Sequence, residues 1–132
     1  MTVAEIKNQV MFQTNNDVDD IDDYLPYLME YINDGYDRLV KAYDKQHVGS
    51  NSIEYTPLKN DDEIPLVPEW THHYIADWAS WLVYRNGNPQ KQQRGYAFRE
   101  AFLEICRTLS GEGGKSAELK GGPTKRFRNM PR

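Results

Sequence analysis

Apolar residues recur at helical spacing over most of the first 110 positions. Val3, Ile6 and Val10 fall on one stripe, and Thr2 with Glu5 three residues on matches a capping box, so a first helix is expected over Thr2–Phe12. Thr14-Asn15-Asn16-Asp17 is rich in capping residues and ends it. Val18, Ile21, Leu25, Leu28, Ile32, Leu39 and Tyr43 then step by three or four, with Tyr36 near the gap, which predicts a second helix from about Asp17 to Asp44. Its first turns hold Asp17, Asp19, Asp20, Asp22 and Asp23, where carboxylates favour the positive end of the helix dipole. Pro26 conflicts with an unbroken helix and predicts a kink, or two shorter helices meeting near Tyr24. Gly35 weakens the far half.

The period fails between Gln46 and Val67. Gly49-Ser50-Asn51-Ser52 and Lys59-Asn60-Asp61-Asp62 read as turns, Ser52–Thr56 alternates like a short strand ended by Pro57, and Ile64-Pro65-Leu66-Val67 is apolar and extended. A loose hairpin or a long ordered loop fits, and long connections are often functional. Pro68 and Glu69 suit the opening of a third helix, in which Trp70, Tyr74, Ile75, Trp78, Ala79, Trp81 and Leu82 cover more than one face, so it is central. Asn86-Gly87-Asn88 stops it. Pro89 opens a fourth helix to about Leu109, with Ala97, Phe98, Ala101, Phe102, Ile105 and Leu109 as its buried stripe; the short gap makes the pair an antiparallel hairpin. The fold class is therefore mainly α: a bundle of about four helices over residues 1–110. A long loop or short β-hairpin lies between the second and third. Residues 111–132 form a flexible basic C-terminal tail, rich in glycine.

Charge sharpens this division. Residues 1–63 hold 14 acids and 5 bases, residues 64–132 hold 6 acids and 11 bases, and residues 115–132 alone carry six bases and one acid. An acidic front with a basic tail suits head-to-tail self-docking or docking on an acidic partner, as well as plain solvation. Mean hydropathy is low at −0.82, while Tyr is abundant at 9 residues, which suits half-buried faces and interfaces. The tail holds Phe127 and Met130 among its bases, more than a spacer needs, and is read as ordered on a partner. No run of about 18 apolar residues crosses a membrane, and the N-terminus lacks the pattern of a signal peptide.

Candidate chemistry is sparse. His72 and His73 are adjacent, about 100° apart on a helix, and cannot chelate as a pair; His47 lies elsewhere. The run Asp17–Asp23 lacks the central glycine of a calcium loop and has Leu28 where the closing Glu belongs. Cys106, the single cysteine, reads as a buried structural thiol in a reducing compartment. Gly111-Glu112-Gly113-Gly114-Lys115-Ser116 has the wrong glycine spacing for a phosphate loop and follows a helix. No catalytic, metal or cofactor-binding residue is assigned, and no enzyme is expected.

The segment Asp61-Asp62-Glu63-Ile64-Pro65-Leu66-Val67-Pro68-Glu69-Trp70, the helix through Trp78-Ala79-Ser80-Trp81-Leu82, the turn Arg85-Asn86-Gly87-Asn88-Pro89 and the run Tyr96-Ala97-Phe98-Arg99-Glu100-Ala101-Phe102 together resemble the head–tail connector (adaptor) proteins of tailed bacteriophages. The short helix, acidic turn and long amphipathic helix over Val3–Ala42 look similar as well. The resemblance implies a virion neck protein, made in the host bacterial cytoplasm. It would form a homo-oligomeric ring, usually twelvefold, between the portal protein and the next tail or stopper protein. DNA would pass through its channel unread. By the same resemblance the C-terminal segment docks on the portal, through Lys125, Arg126, Phe127, Arg128 and Arg132, and the loop over 48–66 contacts a neighbour or the tail. The alternative is a small helical nucleic-acid-binding regulator using the basic tail, whose affinity would fall steeply with salt.

Overall fold

The computed structural model describes residues 1–14, 24–47, 49 and 52–111, and it is mainly helical, with four α-helices and no strand among those residues. Thr2 and Glu5 close the expected box: the Thr2 amide donates to Glu5 Oε1 at 2.8 Å and the Glu5 amide donates to Thr2 Oγ1 at 3.2 Å. The bond from the Thr2 amide holds the Glu5 carboxyl below its ordinary value. Helix α1 (Val3–Thr14) runs two residues past the expected end, and buries Val3, Ile6, Val10 and Thr14 on one stripe. The Thr14 hydroxyl donates to the Val10 carbonyl and lies 3.0 Å from the Tyr24 hydroxyl.

Pro26 settles where the second helix begins. It sits in a 3₁₀ turn, Leu25–Tyr27, and α2 (Leu28–Asp44) starts immediately after it. The missing N–H of proline is tolerated there because the first donors of a helix have no intrahelical acceptor. Leu25, expected on the buried stripe, is exposed as a result. The part of the expected helix over 17–23, with its acidic run, lies outside the described residues. Within α2 the buried line is Leu28, Ile32, Gly35, Tyr36, Leu39, Val40 and Ala42, while Tyr43 turns aside to stack on His47 at 3.8 Å.

No strand forms over residues 52–67. Side chains of α2 take the part of a strand partner. Asn33 brackets Leu58, donating to its carbonyl at 2.9 Å and accepting its amide at 2.7 Å. Asp44 accepts the Ile53 amide and the Tyr36 hydroxyl accepts the Leu66 amide. Buried backbone groups must be satisfied somewhere, and here distant side chains do it. Leu58 and Val67 plug into the core. The loop also serves α1: the Val3 and Ala4 amides, orphans of the first turn, donate to the Glu63 and Asp61 carbonyls, both at 2.9 Å.

Pro68 proves to be a cap, followed by a 3₁₀ turn at Glu69–Thr71, so α3 (His72–Arg85) begins later than its sequence suggests. All but His73, Tyr74 and Arg85 of its 14 residues are buried, because α1, α2 and α4 pack around it. Helix α4 (Pro89–Leu109) has the expected bounds; Asn88 Oδ1 accepts the Lys91 amide at 2.9 Å and Pro89 opens the first turn. The expected stripe on α4 holds except at Ala97: Phe102 is buried and Phe98, Ile105 and Leu109 pack partly buried against the core, whereas Ala97 is exposed and Gly95 is buried instead. Gly95 and Phe102 lie seven residues apart, hence on one line, and Ala97 sits about 200° round the helix from Gly95. Helices α1 and α3 run in one direction, α2 and α4 in the other, as shown by Gln13 reaching Asp77, Tyr31 reaching Asn86 and Phe102 packing on Trp78.

Two glycines permit this packing to different degrees. A Cβ at Gly95 would lie 2.7 Å from Tyr84 Cβ and 2.8 Å from the Trp81 ring, whereas one at Gly35 would lie 3.3 Å from Trp78 Cδ1. Gly95→Ala is therefore expected to destabilise, since overpacking of roughly 1–3 kcal/mol outweighs the better helix propensity of alanine, about 1 kcal/mol. Gly35→Ala should leave the thermal midpoint nearly unchanged. Equal midpoints for Gly95→Ala and the native chain would contradict the close α3–α4 approach.

Candidate functional site

Large apolar side chains that the core does not absorb fall mostly into two groups. Ile64, Leu66 and Trp70 are 57%, 67% and 53% exposed. Pro65 and Val67, between and after the first two, are buried. An extended backbone sends alternate side chains to opposite sides, so anchoring Pro65 and Val67 in the core forces Ile64 and Leu66 outward together. The segment is rigidly held. Its Leu66 amide is bonded to the buried Tyr36, and Thr71, at the end of the turn that presents Trp70, is buried with its hydroxyl on the Pro68 carbonyl. This patch lies where α1 and α3 begin.

The second group is Phe12, Leu25 and Tyr27, which are 79%, 41% and 51% exposed, at the end where α1 finishes. Tyr27 stacks on Tyr31, and Tyr24, Tyr27, Tyr31 and Tyr84 line a groove of about 200 Å³ beside them. The 12 residues of α1 separate the two patches by about 18 Å. Exposed apolar side chains this rich in aromatic residues are more usual at interfaces than on isolated monomers. Tyr96, also half exposed, packs with its ring tilted against Trp81 on the α4 side.

The polar groups of the interior serve structure. Asp77 is buried on α3; Gln13 Nε2 donates to it at 2.9 Å, while Gln13 Oε1 accepts from the Ser80 hydroxyl at 2.6 Å and the Gln13 carbonyl accepts from Tyr84 at 3.2 Å. Burial raises the Asp77 carboxyl above its ordinary value against the lowering effect of that Gln13 bond. The ionised form is thus disfavoured in the fold. Its penalty is present at neutral pH and vanishes below the unfolded value near 3.8, where both states are protonated. Asp77→Asn, which keeps the acceptor, is expected to raise stability at pH 7, with the gain shrinking as pH falls toward 3. Urea titrations at the two pH values measure it, and a loss of stability at pH 7 would contradict the assignment.

The histidines do not converge. His72 is buried, with Nε2 donating to the Val67 carbonyl at 2.8 Å and Nδ1 accepting from the Met1 ammonium at 2.9 Å. Burial lowers its pKa, against the raising effect of the Val67 bond. His73 packs on Tyr74 and His47 on Tyr43. Among the described residues no group of three or more His, Cys, Asp or Glu is placed to hold a metal ion, and no helix is long and apolar enough to cross a membrane. Cys106 is half-buried rather than buried, and desolvation pushes its thiol up to about 11 in spite of Arg38, Arg107 and Lys45 nearby. It lines a cleft of about 280 Å³ between the last turns of α2 and α4.

The residues expected to dock on a portal, Lys125, Arg126, Phe127, Arg128 and Arg132, lie outside the described residues, as does most of the Gly111–Ser116 stretch. Ile64 and Leu66 fall in the loop over 48–66 that the resemblance assigned to a neighbour or tail contact, whereas Trp70 and the Phe12, Leu25 and Tyr27 group were not among the expected site residues. The signal in the sequence was the Ile64-Pro65-Leu66-Val67 run, whose outward half depends on where the core lies. Comparisons with protein families, with curated proteins and with solved structures find no match to this chain.

Proposed function

We propose that the protein is a structural subunit of a tailed-phage neck. In this reading it is a head–tail adaptor whose copies join head to tail into a ring between the portal and the next neck or tail protein, around the DNA channel. The observation that carries this reading is the pair of exposed apolar groups, Ile64–Leu66–Trp70 and Phe12–Leu25–Tyr27, at different ends of one subunit. A ring of identical chains needs two different faces on each, one complementary to the other. The resemblance carried by Asp61–Phe102 and the acidic and basic halves of the chain support the same conclusion. Their opposite charges favour one orientation of neighbours and speed encounter.

The basic tail is assigned to the portal, with Phe127 as its apolar anchor and Lys125, Arg126, Arg128 and Arg132 pairing with acidic groups there. Deleting residues 115–132 tests this. The helical circular dichroism and thermal midpoint should match those of the full chain, while heads and tails mixed with the truncated protein should fail to join. Normal joining by the truncated chain would remove the portal role from the tail.

A further inference from the structure

Between the C-terminal halves of α2 and α4 lies a cleft with an apolar floor and a basic rim. Phe102 and Cys106 contribute to the floor; Arg38, Lys41, Lys45 and Arg107 surround it, and among the described residues no carboxylate lines it. Arg38 is anchored over the Trp78 ring, 4.7 Å from its centroid. The rim cations do have partners already, since Arg38 pairs with Asp34, Lys41 with Asp37 and Arg107 with Glu104, and Lys45 and Arg107 make further interactions. Those pairs are exposed and within one helix, a class of ion pair that contributes little and rearranges readily.

We propose that this cleft receives the acidic segment Asp17-Val18-Asp19-Asp20-Ile21-Asp22-Asp23 of a second copy of the chain. The inference rests on the head-to-tail assembly proposed above and names the site of one of its contacts. Composition matches on both counts: five aspartates meet the four cations of the rim, and Val18 and Ile21 supply apolar side chains for the floor. Ser110 lines the same cleft, but the basic segment that follows in sequence has the wrong charge for it, with six bases and one acid over 115–132.

Chain length decides between the same copy and another. The segment is tethered at both ends, because Thr14 and Tyr24 are joined by a 3.0 Å hydroxyl contact. Ten peptide steps that go out and return reach at most about 17 Å from that point. Arg38 to Lys45 stand 10 to 17 residues beyond Leu28 in α2, and so about 15–25 Å along its axis. Within that reach no more than the tip of the segment could touch its own cleft, whereas the segment of a neighbour can lie along the whole of it. The segment leaves from the same end as Phe12, Leu25 and Tyr27, so one end of each subunit would carry both an apolar patch and an acidic arm toward the next subunit.

The native chain has one thiol, Cys106, and it lines the cleft. It therefore reports occupancy. A chain carrying Ile21→Cys and Cys106→Ser, with the new thiol activated as a thionitrobenzoate mixed disulfide, is mixed with native chain in concentrated solution. The expected product is a disulfide between position 21 of one copy and Cys106 of the other, identified by peptide mapping. Lys41→Glu with Lys45→Glu in the acceptor should slow its formation at least tenfold. Adding Asp19→Lys with Asp22→Lys to the donor should restore it, which a merely misfolded acceptor would not allow. Equal rates for native and charge-reversed acceptors would overturn the proposal. So would a 21–106 disulfide forming mainly within one chain when Ile21→Cys is made with Cys106 retained. If sedimentation shows the copies associating without this cross-link, the docking site falls and the assembly stands; if they neither associate nor cross-link, both fall.

Discussion

Phe102→Ala is expected to destabilise the protein by about 3–5 kcal/mol, a large part of the margin of 5–15 kcal/mol that a domain of this kind possesses. Phe102 is fully buried, and its ring lies 4.8 Å from that of Trp78. Trp78 in turn donates from Nε1 to Asp34 Oδ2 at 2.6 Å and lies beneath Arg38. Asp34 answers to these partners: its burial raises the pKa, but the bonds from Arg38 and Trp78 outweigh that, and it is held below its ordinary value. One phenyl ring thus links α4 to α3 and, through Trp78, to α2. Phe98, Leu103, Ile105 and Leu109 pack partly buried against the same core, but Phe102 is the large α4 side chain that is fully buried, so the ring carries the largest single share of the docking. Urea unfolding gives the number. Phe102→Leu, which keeps most of the volume, should cost about 1.5 kcal/mol or less. A loss below about 1 kcal/mol for Phe102→Ala would mean that α4 is not docked through this residue.

Leu66→Asp with Trp70→Asp is expected to leave the fold intact and to weaken self-association by a factor of about 30 or more, since truncating a buried aromatic anchor at an interface commonly costs about 2 kcal/mol or more. Both side chains are more than half exposed, so the folded monomer loses little. Phe12→Asp with Tyr27→Asp should have a similar effect from the other end. Mixing the two variants is the sharper experiment. Each retains one good face, and in a head-to-tail arrangement those faces are complementary, so the mixture should form heterodimers and stop there. An interface pairing each patch with its own copy would instead leave both variants with homodimers through their undamaged ends. Sedimentation of each variant and of the mixture separates the cases.

The elements with chemical punctuation were legible from sequence. Thr2 with Glu5 announced α1, and Asn88-Pro89 announced α4, because a cap is a local device whose donors and acceptors lie within four residues. Where prolines admit two backbone answers, sequence alone did not choose. Pro26 and Pro68 each introduce a 3₁₀ turn before their helix, a choice made by how Leu28 and His72 must enter the core. The loop over 52–67 was open between hairpin and ordered loop because its partners, Asn33, Tyr36 and Asp44, are up to 30 residues away. The face of α4 was misjudged at Ala97 for a related reason. Helical spacing identifies an apolar sector, but the line of deepest burial follows from Gly95, whose missing side chain admits Trp81 and Tyr84. The same limit applied to the candidate surface: Ile64 and Leu66 are apolar in any reading, and only the anchoring of Pro65 and Val67 turns them to solvent.

Electron cryo-microscopy of the neck of the assembled particle tests the head-to-tail adaptor most directly. Density for this chain should form a closed ring between portal and tail, with the Phe12–Leu25–Tyr27 end of every subunit covered by a different surface of its neighbour and Ile64, Leu66 and Trp70 withdrawn from solvent. A neck without this chain, or a ring in which both patches face open solvent, would contradict it.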